Sequence, residues 1–277
     1  MRSRSFRALF LCLPALLTAV PAVRAQAPAA DSLQEIRLVD GSVLYGRVLD
    51  EGPPVSVRLA GGEVLEVDSA RIRSVRAAPG SIRGGEYWPP DPNQTRLFFG
   101  PTGRTPPARS GYLALYEVFI PFVSFSPTDR LIISGGTPFV GGFGGDRPYW
   151  LAPKLRVLSS GPIDMSVGAL AIRWDDENAG ILYGVATRGS GDAALTLALG
   201  YGYEGGDLAD SPAAMVGGEA RVSRSVKLLA EGYVFDGEVL GMGGMRFFGE
   251  RLSADLGILL AEGAEGFLPV VNFVYAW

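Results

Sequence analysis

The lack of histidine and the scarcity of cysteine limit the side chains that could do chemistry in this chain. The sequence contains no histidine and a single cysteine, Cys12, so Ser-His-Asp and Cys-His catalysis, histidine metal sites and histidine pH switches are excluded. Lysine occurs only at Lys154 and Lys227, without a catalytic motif around either. Carboxylate pairs could still do acid–base chemistry, but a sequence gives no distances between them. We therefore predict no enzyme activity, no catalytic residues, no cofactor and no metal site.

Most charged residues of the second half of the chain lie in segments where apolar and polar residues alternate. This period of two is typical of a β-strand with one apolar and one polar face. In ALTLALGYGY, for example, Leu195, Leu197 and Leu199 share one face and Thr196 lies on the other. Glycine is also too frequent for helices. The charged side chains predicted to point into the lumen of a barrel are Lys154, Arg156, Arg173, Glu219, Arg221, Lys227, Glu231, Arg251 and Asp255.

These inward charges have two interpretations. They could line a polar channel that selects solutes, or they could pair with one another and fill a narrow barrel. Buried charges must be paired, and about 12 strands are fewer than the 16–18 of porins with open channels. We favour the paired network.

The strand pattern predicts an all-β, antiparallel barrel. About twelve strands can be placed, and ten are possible. Short turns such as residues 160–162 alternate with mostly longer connections such as residues 204–212, which is typical of outer-membrane barrels. The predicted strands are 95–100, 111–125, 130–139, 150–159, 163–174, 180–188, 192–203, 213–223, 225–235, 238–247, 251–261 and 267–277.

The N-terminal part of the chain lacks the strand pattern of the predicted barrel and divides into three segments. Residues 1–25 carry basic residues, a short apolar run and a small-residue cleavage site, and they predict a signal peptide. Residues 32–77 predict a small β domain with a hairpin turn at Asp40-Gly41. Residues 78–94 are rich in glycine and proline and predict a linker, followed by the barrel at 95–277. No basic patch indicates a nucleic-acid partner.

Two resemblances carry these predictions further. The final strand, with Val271, Phe273, Tyr275 and Trp277 at every second position, resembles the signal that bacterial outer-membrane β-barrel proteins present to the barrel-assembly machinery. Residues 95–160 are similar to stretches of uncharacterised proteins of that class. The module at 32–77 resembles Sm-like or SH3-like barrels. The barrel enzymes of that membrane use a catalytic histidine, so the resemblance implies that their activities are absent here.

These patterns predict a transmembrane barrel in the cell outer membrane, in contact with its lipid, with the small domain in the periplasm. The predicted function is non-enzymatic: a structural, solute-passage or surface role. One alternative is a binding protein that docks a periplasmic partner through residues 32–77 and uses the barrel as an anchor. The other is a soluble secreted protein, either a β-sandwich or a calycin-like barrel.

Overall fold

The computed structural model of the chain describes residues 33–139, 148–263 and 266–277. The predicted signal peptide at 1–25 therefore lies outside the described residues. The chain divides into two compact units, Met1–Ala78 and Pro79–Trp277. Within the described ranges, no helix is long and apolar enough to cross a membrane.

The first unit is a five-stranded antiparallel sheet. Its strands are β1 (Gln34–Leu38), β2 (Val43–Asp50), β3 (Val55–Leu59), β4 (Val64–Val67) and β5 (Ile72–Ala77), in the spatial order β4-β3-β2-β1-β5. Gly41, with φ 90°, forms the predicted turn between β1 and β2, and the core is built around Ile36 and Val57. The resemblance of this sheet to Sm-like or SH3-like barrels remains a prediction.

The predicted linker at 78–94 is only partly irregular. It contains a small antiparallel hairpin of β6 (Ser81–Arg83) and β7 (Glu86–Trp88). Gly84 and Gly85 form the turn in the left-handed region, with φ of 56° and 83°, a conformation that glycine adopts without a steric penalty. Two of the glycines that suggested a linker therefore form a tight turn.

The second unit is a closed antiparallel barrel of twelve strands. Each wall strand pairs with the next along the chain, and the pairing of β20 with β8 closes the ring. The two-residue β15 only extends β14 beyond the wall. The strands are β8 (Gly111–Tyr116), β9 (Ile120–Phe125), β10 (Leu131–Gly136), β11 (Tyr149–Ser160), β12 (Ile163–Trp174), β13 (Glu177–Gly189), β14 (Ala193–Glu204), β15 (Asp207–Leu208), β16 (Ala213–Ser223), β17 (Val226–Phe235), β18 (Glu238–Phe248), β19 (Leu252–Ala261) and β20 (Leu268–Ala276).

The predicted number of strands is confirmed, but two of the predicted segments were wrong. Residues 95–100 form no wall strand and make only an isolated bridge between Arg96 and Pro101. The predicted strand 111–125 is two strands, β8 and β9. They are separated by a turn in which Glu117 and Val118 have positive φ, so the turn lacks the Gly, Asn or Asp that would have marked it.

The two faces of the wall differ in polarity. On β14 the outward Leu195 and Leu197 are 68% and 61% exposed, whereas the inward Thr196 is 1% exposed. A soluble barrel such as a calycin has a polar outer face, whereas the outer face of β14 is apolar. One closed sheet also replaces the two packed sheets that the β-sandwich alternative required.

The ends of the barrel can be named from the course of the chain. We call the end at which β8 begins and β20 finishes the near end, and the opposite end the far end. Because strand directions alternate, the near end carries the connections 126–130, 161–162, 190–192, 224–225 and 249–251. The far end carries 117–119, 175–176, 205–212 and 236–237, together with the described residues 137–139, 148, 262–263 and 266–267.

Candidate functional site

The lumen is occupied by the segment that precedes β8. We call residues 89–105 the plug. Its backbone folds back on itself, with Leu97 N donating to Gly100 O at 2.9 Å and Thr102 N donating to Thr95 O at 2.9 Å. Leu97 and Phe98, at the tip of this hairpin, are completely buried. The residues predicted as the first barrel strand therefore lie inside the barrel, and this burial explains their apolar composition.

Buried ion pairs join the plug to the wall. Lys227 on β17 lies 2.9 Å from Asp91 of the plug and 2.9 Å from Glu219 on β16. Arg246 on β18 contacts Asp91 at 3.2 Å and Asp255 on β19 at 2.6 Å. Lys227, Arg246, Asp91 and Asp255 are at most 2% exposed. Each charge therefore has an opposite charge within contact distance, as burial requires.

The wall also binds the backbone of the plug. Glu231 accepts hydrogen bonds from the amides of Phe98 and Phe99, both at 3.0 Å, and from that of Gly100 at 3.3 Å. The Tyr233 hydroxyl donates to the same carboxylate at 3.0 Å. One carboxylate thus satisfies three consecutive N–H groups that have no sheet partner.

Two cations of the wall bind the plug's carbonyl groups. The ammonium of Lys154 donates to the carbonyls of Thr95, Thr102 and Arg104 at 3.0, 2.7 and 2.8 Å. Arg246 donates to the carbonyl of Asn93 at 2.6 Å, besides its two ion pairs. Since an ammonium has three N–H bonds, the hydrogen-bonding capacity of Lys154 is fully used.

Glycines let the plug and the wall approach closely. A Cβ on Gly217 would clash with the side chain of Leu97, and one on Gly257 would come within 2.9 Å of the Phe98 ring. Conversely, a Cβ on Gly103 of the plug would clash with the carbonyl of Asp164. The plug is therefore fitted to this wall by shape as well as by charge.

The predicted inward residues lie in different surroundings. Lys154, Glu219, Lys227, Glu231 and Asp255 are buried in the interior. Each of these five contacts the plug directly or through a neighbour.

Arg221 and Arg156 lie towards the near end. Arg221 donates to the carbonyl of Pro89 at 2.9 Å and pairs with Asp192 at 3.1 Å. Arg156 lies 3.8 Å from both Asp129 and Asp164. Burial alone would raise the pKa of Asp192, but hydrogen bonds from Arg83 and Arg221 outweigh it and lower the pKa.

Two of the predicted inward residues do not point into the lumen. Arg173 is exposed near the end of β12 and lies on the face opposite Ile172, which lines the interior. Arg251 precedes β19 and is exposed in the connection at the near end. Both lie where a strand meets solvent, so charge there gives no information about which face is inside.

Sequence reasoning missed four charged residues of the network. Asp91 was assigned to the linker, and Arg104, which pairs with Glu219, to a loop. Arg96, which lies 3.7 Å from Asp255, was assigned to a barrel strand. Arg246 had a usable signal, because it alternates with Met245 and Phe247 in β18. The position of a plug, by contrast, depends on contacts with wall residues that are 50 to 174 positions away in the sequence.

Beyond the tip of the plug lies a cavity of about 580 Å³. Its walls come largely from the far halves of the strands and are mainly aromatic and aliphatic, including Tyr116, Phe122, Trp150 and Ile172. Such a volume and lining fall within the range of small-molecule sites. Across the described ranges, no group of three or more acidic residues is placed to hold a metal ion.

No protein-family model matches this chain, and no curated protein matches it. Among solved structures, it is similar to the KdgM porin in complex with disordered oligogalacturonate, with 5% identity, 60% of this chain and 95% of that chain covered, and a TM-score of 0.45. The NanC porin gives 6% identity, 60% and 97% coverage and a TM-score of 0.40. OmpT with loop L8 deleted, an outer membrane protein of Vibrio cholerae, gives 14% identity, 88% and 96% coverage and a TM-score of 0.35. At these values the likenesses carry no inference about function.

We expect Lys227→Met to destabilise the barrel. The substitution removes the buried ammonium that contacts both Asp91 and Glu219. Loss of one member of a buried ion pair costs about 3–5 kcal/mol of folding free energy. The free energy of unfolding, measured by reversible urea unfolding in lipid vesicles, should fall by about that amount. The exposed Arg251→Met is the matched control and should change it little. Equal stabilities of the two variants would contradict a plug held by buried charges.

Proposed function

We propose that this chain is a non-enzymatic outer-membrane β-barrel protein that is closed by its own plug and that presents the far-end cavity for ligand binding. The observation that carries the proposal is the set of buried contacts between plug and wall. They engage charged groups of β11, β16, β17, β18 and β19. A segment bound from so many strands blocks free diffusion through the lumen.

The apolar outer face supports a location in lipid. A wall whose outward leucines are mostly solvent-exposed would aggregate in water, whereas lipid covers such a surface. Closure of the ring leaves no strand edge with unpaired backbone groups, as a hydrocarbon environment demands.

The two ends of the chain would direct its export and its assembly. The segment 1–25 would direct export, the sheet within 32–77 would lie in the periplasm, and the near end of the barrel would face the same compartment. The barrel-assembly machinery would recognise Val271, Phe273, Tyr275 and Trp277. In support, Phe273, Tyr275 and Trp277 are all exposed, and the Trp277 amide donates to the Gly111 carbonyl at 3.0 Å where the ring closes.

Closure of the lumen by the plug predicts that the barrel does not conduct ions. In planar bilayers, the full-length protein should show no steady conductance. A variant in which a Gly-Ser linker of equal length replaces residues 93–103 should conduct, because the polar groups of the wall would then face water. A variant lacking residues 33–77 is the control and should also show no steady conductance. Equal conductance of the full-length protein and the linker variant would contradict a closed lumen.

If the barrel lies in the membrane, a charged side chain on its outer face should lower the free energy of unfolding, and the loss should depend on its depth in the bilayer. We expect Leu197→Arg, on the outward face of β14, to lower the free energy of unfolding in lipid vesicles by about 2–4 kcal/mol. The matched control is Leu208→Arg, since Leu208 is similarly exposed at 60% but lies on β15, outside the wall. If both arginines cost the same, lipid does not surround β14 at this position.

A further inference from the structure

One buried cation at the cavity lacks partners for most of its N–H groups. Arg96 of the plug is 4% exposed and lines the cavity. Its Nη1 donates to the Phe98 carbonyl and lies 3.7 Å from Asp255, but its Nε and Nη2 are buried without a hydrogen-bond partner. A buried guanidinium with free donors costs folding free energy unless something accepts its hydrogen bonds.

Arg96 is distinguished from the other buried groups by its position. Among the described residues, several further buried side chains have unpaired polar atoms, including Asn93 and Asn272, but none of those lines the cavity. Its guanidinium lies over the ring of Tyr116 at 4.2 Å, and Tyr116 is itself a wall residue. The Arg96 side chain therefore forms part of the cavity wall, and its unpaired Nε and Nη2 are buried next to it.

The other charged groups near the cavity floor are already engaged. Lys154 donates to three carbonyls, and Glu231 accepts from three amides and from Tyr233. Neither is available to bind a ligand without releasing the plug. Arg96 is thus the charged group that can contact a ligand while the plug stays in place.

The formal charges of the described interior do not balance. The buried set holds four carboxylates and five cations, so one positive formal charge has no buried counterpart. The cations are Arg96, Arg104, Lys154, Lys227 and Arg246, and the carboxylates are Asp91, Glu219, Glu231 and Asp255. One bound anion would neutralise the set, and it would find free donors at Arg96.

We propose that the cavity binds a small amphipathic anion, an aliphatic carboxylate, with its carboxylate on Arg96 and its chain against the apolar wall. A carboxylate suits this site because its two oxygens can accept from Nε and Nη2 of one guanidinium. The aromatic and aliphatic lining suits the alkyl chain and offers little to a polar solute such as a sugar. This inference names the ligand class for the binding role proposed above and rests on that role, but binding can be measured whether or not the barrel conducts.

The test is calorimetric titration of the full-length protein in phosphatidylcholine nanodiscs, with empty nanodiscs as the blank. The probes are octanoate and octylammonium, which share an alkyl chain and differ in the sign of the charge. We expect saturable binding of one octanoate per chain and no binding of octylammonium. If neither binds, water satisfies Arg96 and the proposal fails. If both bind alike, the cavity takes alkyl chains without recognising an anion, and the proposal also fails.

Two variants locate the site. Arg96→Gln should weaken octanoate binding about tenfold or more, since it removes a charge-assisted hydrogen-bond donor. Arg188→Gln, at an exposed position on β13, is the matched control and should bind as the unmodified protein does. Ala198→Phe fills the cavity from β14 without altering Arg96 and should also abolish binding, so the site remains testable if Arg96→Gln does not fold. Unchanged binding in a folded Arg96→Gln or Ala198→Phe variant would overturn the assignment. Conductance of the same variants in planar bilayers separates this outcome from a failure of the closed-lumen proposal.

Discussion

Lys227 and Arg246 place their charges on the inner wall at a depth where both are completely buried, and the rest of the barrel interior depends on how those charges are satisfied. A β-barrel wall with period-two alternation projects polar side chains inward on every strand, and in a ring of twelve strands these groups need partners. Asp91 of the plug contacts both cations. The plug can therefore be understood as the part of the chain that completes the inner surface of the wall, and occlusion of the lumen follows from that completion.

The same constraint explains the composition of the plug. Its backbone forms no sheet with the wall, so its N–H and C=O groups require side-chain partners. Glu231 supplies the acceptor for three amides, and Lys154 supplies donors for three carbonyls. Gly217 and Gly257 leave room for Leu97 and Phe98. The plug therefore both satisfies its polar groups and packs closely against the wall. The tip of its hairpin lies where the barrel interior changes from a charged network to an apolar cavity.

Much of the barrel could be predicted from sequence because alternation is a local signal. A strand has Leu195 and Leu197 on one face and Thr196 on the other. If one side of the sheet lies in an apolar environment, the leucines must point to that side and the threonine to the other. The same logic identified Lys154, Lys227 and Glu231, and it failed for Arg173 and Arg251, where strands end and water reaches both faces. It could not reveal the plug. The stretch 95–100 is as apolar as a wall strand, and only its non-local contacts with Glu231 and Arg246 distinguish a buried hairpin from a strand.

Hydrogen exchange can show whether the plug occupies the lumen in the native protein. Amide exchange of the folded protein in lipid vesicles, followed by proteolysis and mass spectrometry, reports on the peptide that spans Asn93–Arg104. With the lumen plugged, this peptide should exchange as slowly as β17 and β18, because amides such as that of Phe98 are bonded to the wall and those of Leu97 and Thr102 are bonded within the plug. Complete exchange of the peptide within seconds, while the wall strands stay protected, would contradict it and would indicate a lumen open to water.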